Sequence, residues 1–456
     1  MRTARFLSQG RSVDLLHGGI FGPMLRFALP VLISSLFQQF YNLADTMIVA
    51  NYLGDEALAA IGATASIYDL LVGFAIGLSG GLAVVTARSY GAGDRELVKR
   101  SVACALIIGA AVSLGITLLA QWLLEPLLLV LNTPADILEQ ACSYISAITL
   151  FTFVMFSYNL LSGLLRAIGN SVMPLVFLIF SSLVNVVLDI AFITRFSMGI
   201  AGAAYATVIA QGLSAVLCVV YLWRRAPLLI PQKCHFRFGR ELFGEALGQG
   251  LSMAFMHSVV SAGTVILQYG INGFGTLIIA GHTTARKIYI LFVMPFSALS
   301  QALTTFVSQN RGARQWGRIR KALRYAYLSD LVLAGAVTVF LLFFAEPLVR
   351  LVSGSQAPEV ISNATLYLHV VGPAYFMLGA VLNTRSSLQA IGSRILPLIS
   401  SFTEIVVKFA FVVLLIPRLG YFAVIICEPI IWSIMTIQMV IALYGNKSMR
   451  EARGSA

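Results

Sequence analysis

Four stretches of this chain, residues 101–124, 140–165, 196–223 and 288–310, contain no Asp, Glu, Lys or Arg. A helix crosses a bilayer with about 20 mostly apolar residues, so each stretch is long enough. The segments 27–50, 57–87, 167–194, 326–345, 360–384, 395–417 and 419–446 carry at most two charges each. Residues 246–285 run 40 positions without a charge, and the turn signal Ile271-Asn272-Gly273-Phe274-Gly275 divides them. These stretches predict twelve membrane helices.

Composition removes the other classes. Only 11% of the 456 residues are charged and 58% are hydrophobic, whereas an ordinary soluble domain is about 25% charged. A disordered chain is poor in apolar residues, and a soluble globule of this length needs more polar surface. The net charge of +12 raises nucleic acid as a partner. Such binding needs a clustered, solvated basic face, which scattered charges on an apolar chain do not supply, so no nucleic-acid partner is expected. The fold class is an all-α polytopic membrane protein whose first partner is the lipid bilayer. The five cysteines, Cys104, Cys142, Cys218, Cys234 and Cys427, lack C-x-x-C spacing and read as small apolar fillers in membrane helices.

Lys and Arg give the orientation. With twelve helices, one set of connections and termini holds 25 basic residues and the other 3 (Arg195, Arg350 and Arg418). The rich set includes Arg2, Arg5, Arg11, Lys447, Arg450 and Arg453, so both termini are expected in the cytoplasm of a multi-pass cell-membrane protein. The first 22 residues read as a cytoplasmic or interfacial lead-in, not a signal peptide.

The two halves repeat each other. Gly54 corresponds to Gly275, Ile67-Tyr68 to Ile288-Tyr289 and Leu78-Ser79 to Leu299-Ser300, each 221 residues apart. Gly91-Ala92 and Gly312-Ala313, and Glu125-Pro126-Leu127 and Glu346-Pro347-Leu348, keep that offset. Ala167-Ile168-Gly169 and Ala390-Ile391-Gly392 follow at 223. A run of matches at one spacing is the mark of duplication. It predicts two pseudo-symmetric six-helix bundles: an N-lobe over 1–223, a cytoplasmic linker over 224–239 and a C-lobe over 240–456. Six is even, so the halves enter from the same side and are expected to be related by an axis along the membrane normal.

Ionisable groups inside spans are costly and mark function. In the first half these are Asp45, Asp69 and Asp189. Ser34, Gln38, Tyr41, Asn42 and Asp45 recur at three- and four-residue steps and share one face of the first helix. Pro30 on that helix permits a hinge. Ser181, Asn185 and Asp189 are four apart on the fifth helix, and Thr207 follows on the sixth. Asp45, Asn185, Asp189 and Thr207 would present carboxylate, amide and hydroxyl oxygens, suited to a hard cation such as Na⁺, or to a proton on one of two neighbouring carboxylates. The alternative for such a stripe is helix packing alone. Gln38, Tyr41, Asn42, Tyr68, Asp69, Met256 and Tyr289 are candidates for lining a substrate cavity. In the second half Glu404 and Lys408 are placed to pair as i and i+4. Arg286 needs a partner, and Asp330 and Glu428 are both open. His257, His282 and His369 stand apart and read as hydrogen-bonded packing residues.

The segments FQQFYNLADTMIVANYLGDEALAAIG (37–62), ARSYGAGD (87–94), LRAIGN (165–170), NVVLD (185–189) and FVSQNRGA (306–313) resemble the MATE (multidrug and toxic compound extrusion) transporters. The likeness runs from about residue 22 to 444. It implies a secondary antiporter, not an enzyme, with no cofactor, exporting organic and often cationic compounds against Na⁺ or H⁺ as a monomer. The family's first-helix Asp matches Asp45; in the prokaryotic DinF-like branch, which the chain resembles more than the NorM-like branch, a first-helix Pro matches Pro30 and a cation site matches Asn185, Asp189 and Thr207. The NorM-like branch has a seventh-helix carboxylate, whereas residues 254–258 here read Ala-Phe-Met-His-Ser. The resemblance therefore favours a cation site in the N-lobe. Alternatives are a lipid or lipid-linked oligosaccharide flippase of the same superfamily and, from another class, a membrane enzyme acting on lipids. The acidic N-lobe argues against the first, and the lack of a clustered nucleophile and base against the second.

Overall fold

The computed structural model describes residues 12–130, 133–446 and 449, and none of these is in a β-strand. Arg2, Arg5, Arg11, Lys447, Arg450 and Arg453, which bear on the orientation, lie outside the described residues. The helices are α1 (Phe21–Leu53), α2 (Asp55–Gly91), α3 (Arg95–Val130), α4 (Ala135–Leu150), α5 (Thr152–Ala167), α6 (Val172–Ile190) and α7 (Gly199–Arg225). They continue as α8 (Arg240–Asn272), α9 (Thr276–Gly312), α10 (Trp316–Ser353), α11 (Pro358–Ala390), α12 (Ile395–Ala410), α13 (Ile416–Leu419) and α14 (Tyr421–Gly445). A π-helical turn, Ala191–Arg195, extends α6, and another, Phe411–Leu415, joins α12 to α13.

Among the described residues eleven helical runs are long and apolar enough to cross a membrane, and α4 with α5 makes a twelfth. That twelfth span corrects the reading of 140–165 as one uninterrupted helix, because α4 and α5 meet at 48°. The break has a local cause. Phe151 leaves helical geometry (φ −106°, ψ 24°). The carbonyl of Thr149 accepts hydroxyls from Thr152 (2.8 Å) and Thr117 (3.2 Å). Side-chain donors inserted into the amide ladder are a recognised source of kinks.

The duplication is visible in the backbone. Gly54 and Gly275 precede α2 and α9 with φ of 83° and 85°, a conformation open to glycine at little cost. Gly169 and Gly392 match likewise at 90° and 88°. Pro126 and Pro347 each sit inside a long helix, and the two π turns fall at corresponding places.

The chain divides into two compact units. The first comprises Ile33–Ala254 with the described residues up to Asp14, and the second Leu15–Leu32 with the described residues from Phe255 onward. The division therefore runs through α1, just after Pro30, and through α8. In the first unit one apolar cluster gathers Leu78, Leu82, Ile108, Phe156 and Leu164, and another Val49, Ile67, Leu128, Ile145 and Ala203. Gly77 and Gly81 let α2 meet the start of α8. A Cβ on either would stand 2.5 Å from the carbonyl oxygen of Met253 or Gln249, so this is a small-residue crossing. The 224–239 connection forms two short 3₁₀ turns, Pro227–Leu229 and Lys233–Phe236, and His235 Nε2 lies 2.9 Å from Glu96 Oε2. Cys234 is exposed on the second turn, not in a span, and all five cysteines are free thiols.

In the second unit Tyr367, Tyr375, Phe296 and Phe306 are fully buried. Tyr375 stacks with Phe296 and Tyr289, at 5.8 and 5.9 Å between centroids.

Candidate cation site

Within the first unit, α6 packs against α7. The π turn lengthens α6 immediately after Asp189, and a chain reversal near Ser197 starts α7 back beside it. Extra residues of this kind often occur at functional places in a helix. Asn185 and Asp189 point away from lipid, with 1% and 0% of their surface exposed. A carboxylate buried to that degree needs hydrogen bonds and a counter-charge.

The bonds are present. In the orientation that matches donors to acceptors, the Asn185 amide donates to Asp189 Oδ2 (2.8 Å). Its oxygen then accepts from the Thr207 backbone N–H (3.1 Å) and from Thr207 Oγ1 (3.2 Å). Thr207 Oγ1 is also 3.3 Å from the Tyr41 hydroxyl on α1. One turn along α1, Asp45 brings its carboxyl group within hydrogen-bonding reach of Asp189. Three helices thus join at Asp45, Tyr41, Asn185, Asp189 and Thr207.

The counter-charge is missing. Asp45 Oδ1 and Asp189 Oδ1 are both buried without a hydrogen-bond partner, and no described ion pair reaches either residue. Two carboxylates in contact, one buried and the other half-buried, repel unless a cation or a proton lies between them. Carboxylate and hydroxyl oxygens of Asp45, Asp189, Tyr41 and Thr207 gather here, a set that suits a hard monovalent cation, while Asn185 turns its amide N–H to Asp189 and its oxygen to Thr207. Among the described residues no three His, Cys, Asp or Glu side chains cluster as a site for a transition metal.

The cavity candidates read from the sequence divide between the units. Gln38 donates to Asn42 Oδ1 (3.2 Å) on the same stripe as Asp45. Tyr68 and Thr207 line a small cavity of about 10 Å³, room for about one water, with Phe151, Met155 and Gln211. Asp69 is exposed on α2. Met256 and Tyr289 belong to the second unit. There Gln389 Nε2 lies 3.2 Å from the Met256 sulfur, and Tyr289 lies under the Arg286 guanidinium at 4.5 Å. Sequence reasoning missed Tyr144 of α4, a buried ring within electrostatic reach of Asp45 and Asp189. It also missed Gln211, although Gln211 follows Thr207 by one turn.

In the second unit the partner of Arg286 is Glu428, at 2.8 Å. Asp330 instead accepts from Asn383 (2.6 Å). Glu404 and Lys408 pair at 2.9 Å. His282 is 3.2 Å from the Tyr421 hydroxyl, and His369 is 3.2 Å from the Leu341 carbonyl.

Among the described residues the apolar spans, up to twelve with the bent pair, define a polytopic membrane protein with repeated halves. The MatE family model matches residues 30–191 and again 252–414. The chain belongs to this family and is a transporter, not an enzyme. It is similar to the "Probable multidrug resistance protein YpnP" of Bacillus subtilis, 24% identical over 90% of this chain and 92% of that protein. It is also similar to an "FAD transporter" of Shewanella oneidensis, 26% identical over 82% and 84%. Among solved structures, a MATE protein crystallised in complex with MaL6 shares the fold with a TM-score of 0.87, at 23% identity, over 96% of this chain and 99% of that one.

Proposed function

We propose that this chain is a secondary antiporter that exports organic, cationic compounds in exchange for Na⁺ or H⁺ by alternating access. The single observation behind this reading is the pairing of Asp45 and Asp189 in the first unit, each with a buried oxygen that has no partner. Coupling needs a group whose occupation by the driving ion changes the preferred conformation. Na⁺ held by Asp45, Asn185, Asp189 and Thr207, or a proton on the pair, neutralises charge that otherwise strains the contact of α1 with α6. α1 is suited to respond. A smaller share of its apolar stretch is buried inside the protein than in any other of the eleven spans, 22% against 61% for α2. Pro30 leaves a carbonyl without its helical amide near the point where the two units divide α1.

In this account the ion enters from outside, neutralises the pair and lets α1 relax about Pro30. The cavity beside Tyr68 and Thr207 changes shape and cargo leaves. Cargo and ion exchange because they cannot both be held favourably. The relatives named for multidrug resistance support organic cargo. We place the protein in the cell membrane as a monomer with both termini in the cytoplasm, as the distribution of Lys and Arg indicates. The test is transport by proteoliposomes under an imposed ion gradient. Asp45→Asn and Asp189→Asn should abolish gradient-driven exchange, and normal exchange by either variant overturns the scheme.

A further inference from the structure

Inside the spans of the second unit five charged side chains lie in two ion-paired groups, Arg286 with Glu428, and Glu404 with Lys408 and Arg385. Arg286 of α9 donates from Nη1 to both carboxylate oxygens of Glu428 on α14, at 2.8 and 3.0 Å. Glu428 lies within electrostatic reach of Lys408 on α12. Lys408 Nζ donates to Glu404 Oε1 at 2.9 Å, and Glu404 Oε2 stands 3.9 Å from Arg385 Nη2 on α11. Three cations therefore share two carboxylates. Lys408 is 3% exposed and Arg385 8%, so water does not absorb the surplus. Arg385 Nε is itself buried without a partner. A buried positive charge in excess is costly unless something balances it.

The Arg286 end opens on a cavity of about 160 Å³, lined by Thr264, Gln268, His282, Thr283, Arg286 and Glu428 with Leu267 and Ile271. Of its polar lining, the Thr264 hydroxyl and the Gln268 amide bond along their own helix, to the Val260 carbonyl and Asn272 Oδ1, and His282 lies against the Tyr421 hydroxyl, so Arg286 is the charged donor at the cavity. Arg286 is held in place by Glu428, by the Tyr367 hydroxyl and by the Tyr289 ring beneath it, 4.5 Å away. Both contacts to Glu428 leave from Nη1, whereas a guanidinium carries five N–H donors. Glu428 in turn has two other supports, the Tyr367 hydroxyl at 3.2 Å and the field of Lys408. It is not stranded if Arg286 turns part of its attention to a guest.

We propose that this second-unit cavity is a binding site for an oxyanion, a carboxylate or phosphate group, which Arg286 engages and the network's surplus positive charge balances. The inference deepens the transporter reading and rests on it for the meaning of the site: cargo can carry an acidic group as well as a cationic one. The same chemistry could come from a soluble cargo molecule or from a lipid headgroup. The acidic first-unit site offers neither with a cationic anchor.

The test is equilibrium binding, which does not depend on ion coupling and so fails or succeeds apart from the antiport scheme. The full chain is placed in phosphatidylcholine nanodiscs, and binding of 5-carboxyfluorescein is followed by fluorescence anisotropy. Arg286→Gln should weaken binding by about tenfold or more, the loss expected for charge-assisted hydrogen bonds. Glu428→Gln frees the guanidinium and should tighten binding. Ethidium, a cation, should bind Arg286→Gln as it binds the unaltered chain, which also reports that the variant is folded. Repeating the titration with phosphatidylglycerol in the disc separates the sources. Arg286-dependent binding that persists assigns the site to soluble cargo, and binding that disappears assigns it to a lipid headgroup. No binding by the unaltered chain, equal binding by Arg286→Gln, or a loss in Glu428→Gln that parallels Arg286→Gln overturns the proposal. The last result would make the pair a purely structural tie.

Discussion

Asp45 and Asp189 lie 144 positions apart in the sequence, yet their carboxyl groups face each other. Each was legible as a functional candidate, because an acid inside an apolar span is rare and sits on a helix face with Asn and Tyr. Their contact was not legible, since it depends on how α1 lies beside α6. Thr207 shows the same limit: as a threonine on the sixth span it was a candidate only beside Asn185 and Asp189, and the place of its hydroxyl between Asn185 and Tyr41 shows only in the fold. Thr207→Val removes that hydroxyl but leaves the backbone N–H bond to Asn185. It should weaken binding of the coupling ion by about fivefold, the worth of one net hydrogen bond near 1 kcal/mol, as read by ion titration of gradient-driven exchange. The second unit tests a different balance. Glu404 answers both Lys408 and Arg385. Glu404→Gln leaves two buried cations facing each other and should cost about 3–5 kcal/mol, the usual penalty for breaking a buried pair. Lys408→Met leaves Glu404 with Arg385 and should cost less. Thermal unfolding of the purified variants in detergent measures both, and equal losses would contradict the shared-carboxylate account.

At the scale of helices, hydrophobic runs marked where spans lie but not where they bend. The α4–α5 break arises from Thr117, Thr149 and Thr152, ordinary residues whose hydroxyls reach one carbonyl only in the folded pair. Pro30, by contrast, announced itself, since its ring removes an amide wherever the helix is placed. Pro30→Ala restores that amide and should stiffen α1. The expected outcome is a fall in turnover with cargo affinity little changed, measured by initial rates of exchange against cargo concentration. Gly81 is constrained by approach, not by flexibility. A leucine there drives a side chain into the Gln249 carbonyl. Gly81→Leu should destabilise the first unit by at least about 1–3 kcal/mol, the usual cost of overpacking, seen as a lowered unfolding temperature.

For the molecule as a whole, the repeat of 221 residues carried most of the architecture. Paired glycine turns, paired helix prolines and the double family match recover it in the structure. Where the compact units part was not legible, because the division passes through α1 and α8 instead of the charged connection at 224–239. We interpret the +12 charge as mostly topological. If so, exposed Cys234, with the other four cysteines replaced, should react with a membrane-impermeant maleimide only from the cytoplasmic side of vesicles. Labelling from outside would invert the proposed orientation. The central claim is that the Asp45–Asp189 pair couples ion entry to cargo exit. It is tested most directly by efflux of a fluorescent organic cation from proteoliposomes, driven by a Na⁺ gradient alone and then by a pH gradient alone. The unaltered chain should run on at least one gradient, and Asp45→Asn and Asp189→Asn on neither. Efflux by either variant at the rate of the unaltered chain would contradict the account.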